Sequence, residues 1–286
     1  MFRLVNLAGR AALEHDGGRH DLAALSGDPA LADPMTAIAR HRELHALQAA
    51  CAGRAAEGPI AAVELGPPVP TPRQSFGIGL NYRDHAGESG APLPPAPLTF
   101  TKFPSCIAGP TATVPITGSM VDWEAELVVV IGDEAEHVSV DDAWEVVAGL
   151  TLGQDISDRA VQLSGTPPQF SLGKSFTNFG PIGPALVSPD AFADRDDIGL
   201  WCDVSGERMQ EARTRDLIFP VAVLVAYLSS ICRLWPGDVI FTGTPAGVGM
   251  ARGRFLATDD VIVTGAEVLG ELRNPCGPGT GPLTFP

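Results

Sequence analysis

Short segments in which apolar residues alternate with polar ones recur along the chain, and this pattern predicts many strands. Residues 2–7, 76–80, 200–204 and 238–243 are rich in β-branched, aromatic or other apolar residues and are bounded by turn residues. Ser205-Gly206-Glu207 follows the third of these segments and indicates a hairpin turn. The strands outnumber the predicted helices, so we expect an α+β, β-rich fold.

Longer apolar patterns predict helices at residues 34–55, 139–150 and 218–234. The last of these is the most apolar stretch of the chain, but Pro220 and Arg233 interrupt it. It therefore predicts a buried helix rather than a membrane span.

The segment at residues 121–132 carries the most informative polar positions. It alternates at first and is fully apolar from Leu127 to Ile131, which predicts a strand that enters the core. Residues two apart on a strand share a face, so Glu124 and Glu126 are expected side by side. Adjacent desolvated carboxylates repel each other unless a cation lies between them, and we therefore predict a divalent metal ion here.

Asp155 is the candidate third metal ligand, since it follows a predicted strand at residues 150–154. We expect the helix at residues 139–150 to bring this strand back beside the first one. Three carboxylates without cysteine make an oxygen-rich site. Such a site suits Mg²⁺ or Mn²⁺, and also Ca²⁺, better than Zn²⁺.

His85 and Glu88 are the candidate acid–base pair. They are three residues apart, so their side chains can meet on one turn of a helix or loop. A carboxylate beside a histidine orients the ring and raises its basicity, which would allow the pair to deprotonate a water molecule.

Lys174 is a third candidate catalytic residue, and three further residues are candidate substrate contacts. Lys174 stands in an otherwise uncharged stretch and could hold a substrate carboxylate or stabilise an oxyanion. Arg159 and Gln162 follow Asp155 closely and could reach the same cavity. Thr244 lies in the glycine-rich loop at residues 243–249, which lacks the lysine of a phosphate-binding P-loop and predicts a tight turn at the site.

Composition narrows the class of protein. The chain has 286 residues, 45% of them hydrophobic and 19% charged, which suffices for a sizeable core with many turns. A net charge of −15 would repel phosphate backbones, so we expect no nucleic-acid partner. Five cysteines without a Cys-x-x-Cys pair, and no signal-like or membrane-spanning segment, predict a cytoplasmic protein that does not associate with membranes.

The proline-rich run at residues 66–72 predicts a linker. We therefore expect a small N-terminal domain or arm at residues 1–70 and a metal-dependent catalytic domain at residues 71–286.

The ordered motifs of the chain resemble those of the fumarylacetoacetate hydrolase family. They are residues 79–85 (GLNYRDH), 122–127 (DWEAEL), 154–157 (QDIS), 174–176 (KSF) and 236–249 (PGDVIFTGTPAGVG). The resemblance extends over residues 74–275 and implies a mixed β-roll catalytic domain and a homodimer. It implies that Glu124, Glu126 and Asp155 hold a divalent metal, commonly Mg²⁺ or Mn²⁺.

The resemblance also implies roles for the other candidates. The residues matching His85 and Glu88 form a catalytic dyad on a segment that often closes as a lid, and Lys174 and Thr244 match residues that line the substrate site. Members of the family often have Arg-Asp after the metal-binding aspartate. This chain has Arg159 followed by Ala160, so we expect altered substrate contacts at that point.

Together these features predict a metal-dependent hydrolase that cleaves a carbon–carbon bond of a β-diketo acid through a metal-bound enolate. The substrate would be a small anionic oxo-acid of the acylpyruvate or fumarylpyruvate type. Decarboxylation, hydration and tautomerisation use the same enolate, so these activities and sugar-acid hydrolysis stay open, as does a metal-stabilised binding protein. We expect specificity to lie in the loops at residues 87–97 and 165–170.

Overall fold

Strands make up most of the regular structure of the chain. The structure, a computed structural model, describes residues 1–88, 90 and 92–282. The strands are β1 (Arg3–Leu7), β2 (Arg10–His15), β3 (Gly18–Asp21), β4 (Leu65–Gly66), β5 (Ser75–Gly79), β6 (Leu98–Thr101), β7 (Ile107–Ala108), β8 (Val114–Ile116), β9 (Val121–Asp122), β10 (Ala125–Ile131), β11 (Val147–Gln154), β12 (Ser157–Asp158), β13 (Gly180–Val187), β14 (Gly199–Val204), β15 (Glu207–Arg213), β16 (Val239–Phe241), β17 (Val261–Ala266) and β18 (Gly270–Pro278). The α-helices are α1 (Leu22–Ser26), α2 (Pro34–Ala39), α3 (His41–Cys51), α4 (Arg83–Glu88), α5 (Arg159–Gln162), α6 (Phe170–Gly173), α7 (Val221–Ser229) and α8 (Gly249–Arg252). Mixed sheets with few helices confirm the α+β, β-rich fold class.

A long mixed sheet organises the molecule. Its strand order is β3-β2-β1-β13-β11-β10-β16-β5-β6, with β4 beside β1 and β7 beside β13. A five-stranded sheet, in the order β15-β14-β17-β18-β8, forms the second main layer. Strand β10 lies inside the long sheet and pairs antiparallel with both β11 and β16.

The apolar run of β10 is explained by burial on both faces of the sheet. Leu127 and Val129 belong to the core cluster shared with β14, β17 and α7, whereas Val128 and Val130 belong to the cluster shared with the N-terminal strands and helices. A strand covered on both sides has no solvent face, so its sequence loses the usual alternation.

The N-terminal segment extends the long sheet. Strand β1 pairs with β13, and Phe2, Leu4 and Leu44 pack in one cluster with residues of β10, β13 and β16. The division of the chain near residue 70 stays a prediction.

The predicted strands correspond to β1, β5, β14 and β16, and the predicted hairpin joins β14 to β15. The helix predicted at residues 34–55 is divided into α2 and α3, while the buried helix predicted at residues 218–234 is the shorter α7, which begins directly after Pro220. No helix of the described residues is long and apolar enough to cross a membrane.

The helix predicted at residues 139–150 is wrong. Only a short 3₁₀ turn at Ala143–Val146 is present there, and the following apolar residues begin β11. An apolar run that is buried on both sides has no period that separates helix from strand. Because β10 and β11 are antiparallel, no crossover helix is needed to bring them together.

Candidate metal centre and active-site cavity

The antiparallel pairing of β10 and β11 brings three carboxylates together. Ala125 pairs with Gln154, so Glu124 and Asp155 are the next residues beyond the paired ends of the two strands. The backbone N–H of Asp155 donates to the carbonyl of Glu124 at 2.9 Å. Oxygen atoms of Glu124, Glu126 and Asp155 lie within 4.8 Å of one another, and all three side chains are buried.

Glu126 is the one ligand candidate that lies within β10 itself. Its Oε2 accepts a hydrogen bond of 2.7 Å from the backbone N–H of Gly243, which follows the neighbouring strand β16. The end of β16 therefore fixes this carboxylate within the group.

The predicted catalytic lysine and the predicted substrate-binding arginine lie directly against the carboxylates. Lys174 Nζ donates to Glu124 Oε2 at 2.7 Å, to Asp155 Oδ2 at 2.8 Å and to the hydroxyl of Ser157 at 2.8 Å. Arg159 donates to Glu124 Oε1 at 2.6 Å, and its Nη1 donates to Gln162 Oε1 at 2.9 Å. The candidate metal ligands Glu124 and Asp155 therefore help to hold Lys174 and Arg159 in place.

Lys102 is a residue of the site that the sequence reasoning did not select. It is fully buried, and its Nζ donates to Asp155 Oδ1 at 2.6 Å, to Phe179 O at 3.1 Å and to the carbonyl of Lys174. A signal was present in the sequence, because Lys102 is the only charged residue between positions 91 and 121. In addition, the chain contains two lysines, and both lie at this site.

Asp122 is a second residue that the sequence reasoning quoted only within a motif. It accepts hydrogen bonds from Arg159 Nε at 2.8 Å and from the backbone N–H groups of Gly249 and Met250 at 2.6 and 3.0 Å. It thereby connects the arginine to the first turn of α8.

The buried charges of the site nearly balance. The carboxylates are Asp122, Glu124, Glu126 and Asp155, and the cations are Lys102, Arg159 and Lys174. One formal negative charge is in excess when all seven groups are ionised. A proton on one carboxylate, or a bound cation, removes this excess.

The pKa shifts of the two glutamates follow from this arrangement. Burial alone would raise the pKa of Glu124, but Lys174, Arg159 and His85 lower it to about 2. Burial raises the pKa of Glu126 well above its usual range, and the charges of Asp155 and Glu124 raise it further. Of these two glutamates, Glu126 is therefore the one that takes up a proton more readily.

The donor set fits a divalent cation. Three buried carboxylates converge within 4.8 Å, and their oxygens are the ligands that hard divalent ions prefer. Burial and the neighbouring charges of Asp155 and Glu124 raise the pKa of Glu126, and a cation bound between these carboxylates would oppose that rise. The three residues named from the sequence can therefore hold a divalent cation.

Metal binding is expected to release a proton from Glu126. Its folded-state pKa is raised, so its contribution to the stability of the metal-free protein is present at low pH and is lost as the pH rises through that pKa. A metal ion must displace the proton, so the apparent metal affinity should increase by up to about tenfold per pH unit until the raised pKa is passed. Calorimetric titration with Mg²⁺ in two buffers of different ionisation enthalpy measures the number of protons released. The same titration at several pH values measures the apparent metal affinity.

The matched control is Glu126→Gln, which is neutral at every pH. Without metal, this variant should not lose stability as the pH rises, whereas the wild type should. Its metal binding should be impaired. A pH-independent affinity without proton release would contradict the assignment of the proton to Glu126.

The predicted acid–base pair lies on α4. His85 Nδ1 is 3.4 Å from Glu88 Oε2, and His85 lines the same cavity as Glu124 and Glu126. Glu88 also accepts the backbone N–H of Gly247, at 3.0 and 3.1 Å to its two oxygens. Gly247 has φ of +105°, and a Cβ there would lie 2.0 Å from the carbonyl oxygen of Met209, so only glycine fits this turn.

The cavity has a volume of about 180 Å³. The polar residues named from the sequence that line it are His85, Glu124, Glu126, Arg159, Gln162, Lys174 and Thr244. The hydroxyl of Thr244 donates to Ala125 O at 2.9 Å and accepts from Gln210 Nε2 at 2.7 Å, so it supports the start of β10. The substrate-binding role of Thr244 stays a prediction.

The two predicted specificity loops differ in how far the structure describes them. Phe170, at the end of the loop at residues 165–170, lines the cavity. The loop at residues 87–97 contains Ser89 and Ala91, which lie outside the described residues.

The part of the chain that carries the motifs matches a known protein family. The family model described as fumarylacetoacetate (FAA) hydrolase C-terminal matches residues 74–276. Among curated proteins, the human protein named oxaloacetate tautomerase FAHD2A, mitochondrial, is 37% identical over 280 residues, which cover 96% of this chain and 89% of the relative.

Solved structures share the fold over nearly the whole chain. A crystal structure from Mycobacterium smegmatis, described as an HpcE protein, has a TM-score of 0.89 and 47% identity and covers 97% of this chain and 99% of its own. The maleylpyruvate hydrolase from Sphingobium sp. SYK-6, solved with manganese(II) and pyruvate, has a TM-score of 0.81 and 28% identity. It covers 97% of this chain and 100% of its own.

Proposed function

The chain belongs to the fumarylacetoacetate hydrolase family and is an enzyme of that family, and we propose that it interconverts the keto and enol forms of a 2-oxo acid with the aid of a divalent cation. One observation carries this proposal. His85, which contacts Glu88, lines the same cavity as Glu124, Glu126 and Lys174, so an acid–base group and a charge-stabilising group face one substrate.

The proposed cation is Mg²⁺ or Mn²⁺, held by Glu124, Glu126 and Asp155, with Ca²⁺ as a weaker fit for acid–base catalysis. When bound, such an ion would supply positive charge that lowers the cost of forming an enolate from a 2-oxo acid. The manganese(II) and pyruvate named with the Sphingobium hydrolase support a divalent ion together with a 2-oxo acid.

The roles of the protein residues follow from their contacts. His85 removes a proton from carbon 3 of the 2-oxo acid, the electron pair moves to the carbonyl oxygen, and the proton is returned to oxygen or to carbon. Glu88 contacts His85 Nδ1 and is itself held by the N–H of Gly247, so it orients the ring. Lys174 presents its ammonium group beside the ligand carboxylates, where it stabilises negative charge on the substrate.

Tautomerisation is favoured because a relative that covers nearly the whole chain is named an oxaloacetate tautomerase. Hydrolysis of a carbon–carbon bond in an acylpyruvate is the second candidate. The maleylpyruvate hydrolase has the same fold, and the His85–Glu88 pair could deprotonate a water molecule instead of carbon 3. We also propose that the substrate is a small anionic oxo-acid and that the protein forms a homodimer. A cytoplasmic location is a further proposal; the human relative is named as mitochondrial.

Proton NMR in D₂O separates these outcomes. With Mg²⁺, the protein should exchange the carbon-3 protons of a 2-oxo acid for deuterium without consuming it, whereas hydrolysis would yield two separate acids. Removal of divalent ions with a chelator should abolish the exchange, and re-addition of Mg²⁺ or Mn²⁺ should restore it. Full activity in the chelated sample would exclude the proposed use of the metal.

A further inference from the structure

Much of the lining of the active-site cavity is apolar. We call this part of the lining the apolar wall; it consists of Ile78, Leu80, Phe100, Leu163, Phe170, Val248 and Met250. The polar lining described above lies around the carboxylates. A substrate that reaches both parts must therefore carry a charged end and an apolar end.

The cations that line the cavity are held by carboxylates of the protein. Among the described residues that line it, the permanently charged cations are Arg159 and Lys174. Both donate to Glu124; Lys174 also donates to Asp155, and Arg159 also donates to Asp122 and Gln162. Both cations are thus already paired with carboxylates of the protein, so a second carboxylate on the substrate that packs on the apolar wall would lose its hydration without gaining an uncommitted cation.

Phe100 is fixed at the boundary between the two parts. The Lys174 ammonium lies 5.1 Å from the centre of its ring, and the ring of Phe170 packs edge-on with a centroid distance of 5.8 Å. Gly77 is the cross-strand partner of Phe100, and a Cβ at Gly77 would lie 2.3 Å from the ring. The ring therefore occupies the space that the missing side chain leaves, and the apolar wall begins directly beside the charged site.

Two members of the apolar wall keep much of their surface in water. Leu163 is 45% exposed and Met250 is 42% exposed, although both line the cavity. Binding of an apolar group over this area is favourable, because it removes apolar surface from water. The cavity thus offers a hydrophobic contact surface on its solvent side.

From these observations we infer that the preferred substrate is a 2-oxo acid whose far end is an uncharged, apolar group that packs on Phe100, Phe170 and Leu163. This inference rests on the proposed function, because it concerns the far end of the same 2-oxo acid. It separates the chain from enzymes whose substrates carry a carboxylate at both ends.

The test compares two 2,4-dioxo acids of equal chain length, one ending in a methyl group and the other in a carboxylate. With Mg²⁺-loaded protein, kcat/KM should be at least about tenfold higher for the methyl-ended acid. Equal values, or a preference for the dicarboxylate, would overturn the inference and leave the proposed function intact. Failure to enolise or cleave either acid would overturn the proposed function instead.

Substitutions on the apolar wall provide the second part of the test. Phe170→Arg places a cation where the far end is expected to bind, so it should reverse the preference toward the dicarboxylate. Leu163→Arg provides the same test at an exposed position, where a charge is tolerated without refolding of the core. The matched control is Phe103→Arg, at a 49% exposed residue that does not line the cavity, and it should keep the wild-type ratio. Unchanged ratios in both wall variants would contradict the inference.

Discussion

Lys102→Met is expected to destabilise the metal-free protein by about 3–5 kcal/mol, because it leaves a buried carboxylate without one of its cations. Lys102 is fully buried and donates to Asp155 and to two backbone carbonyls, so three acceptors lose a donor at once. Burial opposes its charge, yet Asp155 raises the pKa of Lys102 above its usual value, which means that the ammonium form is stabilised in place. Denaturant unfolding in the presence of a chelator measures the loss.

The control for this prediction is a double-mutant cycle with Asp155→Asn. Once the carboxylate is neutral, loss of the ammonium should cost less, so the double variant should be more stable than the sum of the two single effects predicts. Mg²⁺ should reduce the difference between Lys102→Met and the wild type, since a bound cation also compensates Asp155. A decrease in the free energy of unfolding below about 1 kcal/mol would be no larger than that of an ordinary surface ion pair. It would contradict the claim that Lys102 stabilises the buried carboxylate of Asp155.

His85→Ala is expected to lower turnover by about 10²–10⁴-fold while it leaves metal affinity unchanged. His85 lines the cavity and contacts Glu88, but the proposed metal ligands are Glu124, Glu126 and Asp155. Its removal therefore takes away the proposed proton-transfer group and keeps the proposed metal ligands. Steady-state kinetics and calorimetric metal titration measure the two quantities independently.

Asp155→Ala is the matched comparison for the histidine variant. It removes a proposed ligand, so it should abolish both metal binding and turnover. If His85→Ala also lost metal affinity, or retained full turnover, the histidine would not be the acid–base group. Glu88→Gln should give a smaller loss than His85→Ala, because Glu88 orients the ring rather than transferring the proton.

Much of the fold and the site could be predicted because the relevant signals are local. The apolar run after Glu126 predicted a core strand, and the two-residue spacing of Glu124 and Glu126 predicted neighbouring carboxylates. Asp155 followed from its place at the end of the next buried strand. His85 and Glu88 followed from their three-residue spacing, and α4 does bring their side chains together.

The errors arose where tertiary structure decides. Residues 139–150 were predicted as helix because an apolar run carries no period once both faces are covered, and the N-terminal helices that cover one face come from a distant part of the chain. Lys102 was missed because its contact with Asp155 spans 53 residues. That contact depends on the position of β6 at the far edge of the long sheet.

By itself, the sequence determined the β-rich fold class, and it predicted an oxygen-only set of metal ligands and an acid–base pair, since these depend on residue type and short spacing. The tertiary structure decided which charges face one another. Lys102, Lys174 and Arg159 converge on the carboxylates, while the rest of the cavity is left apolar. Electrostatic compensation in a buried site depends on distances of a few ångströms, and only the folded chain sets those distances.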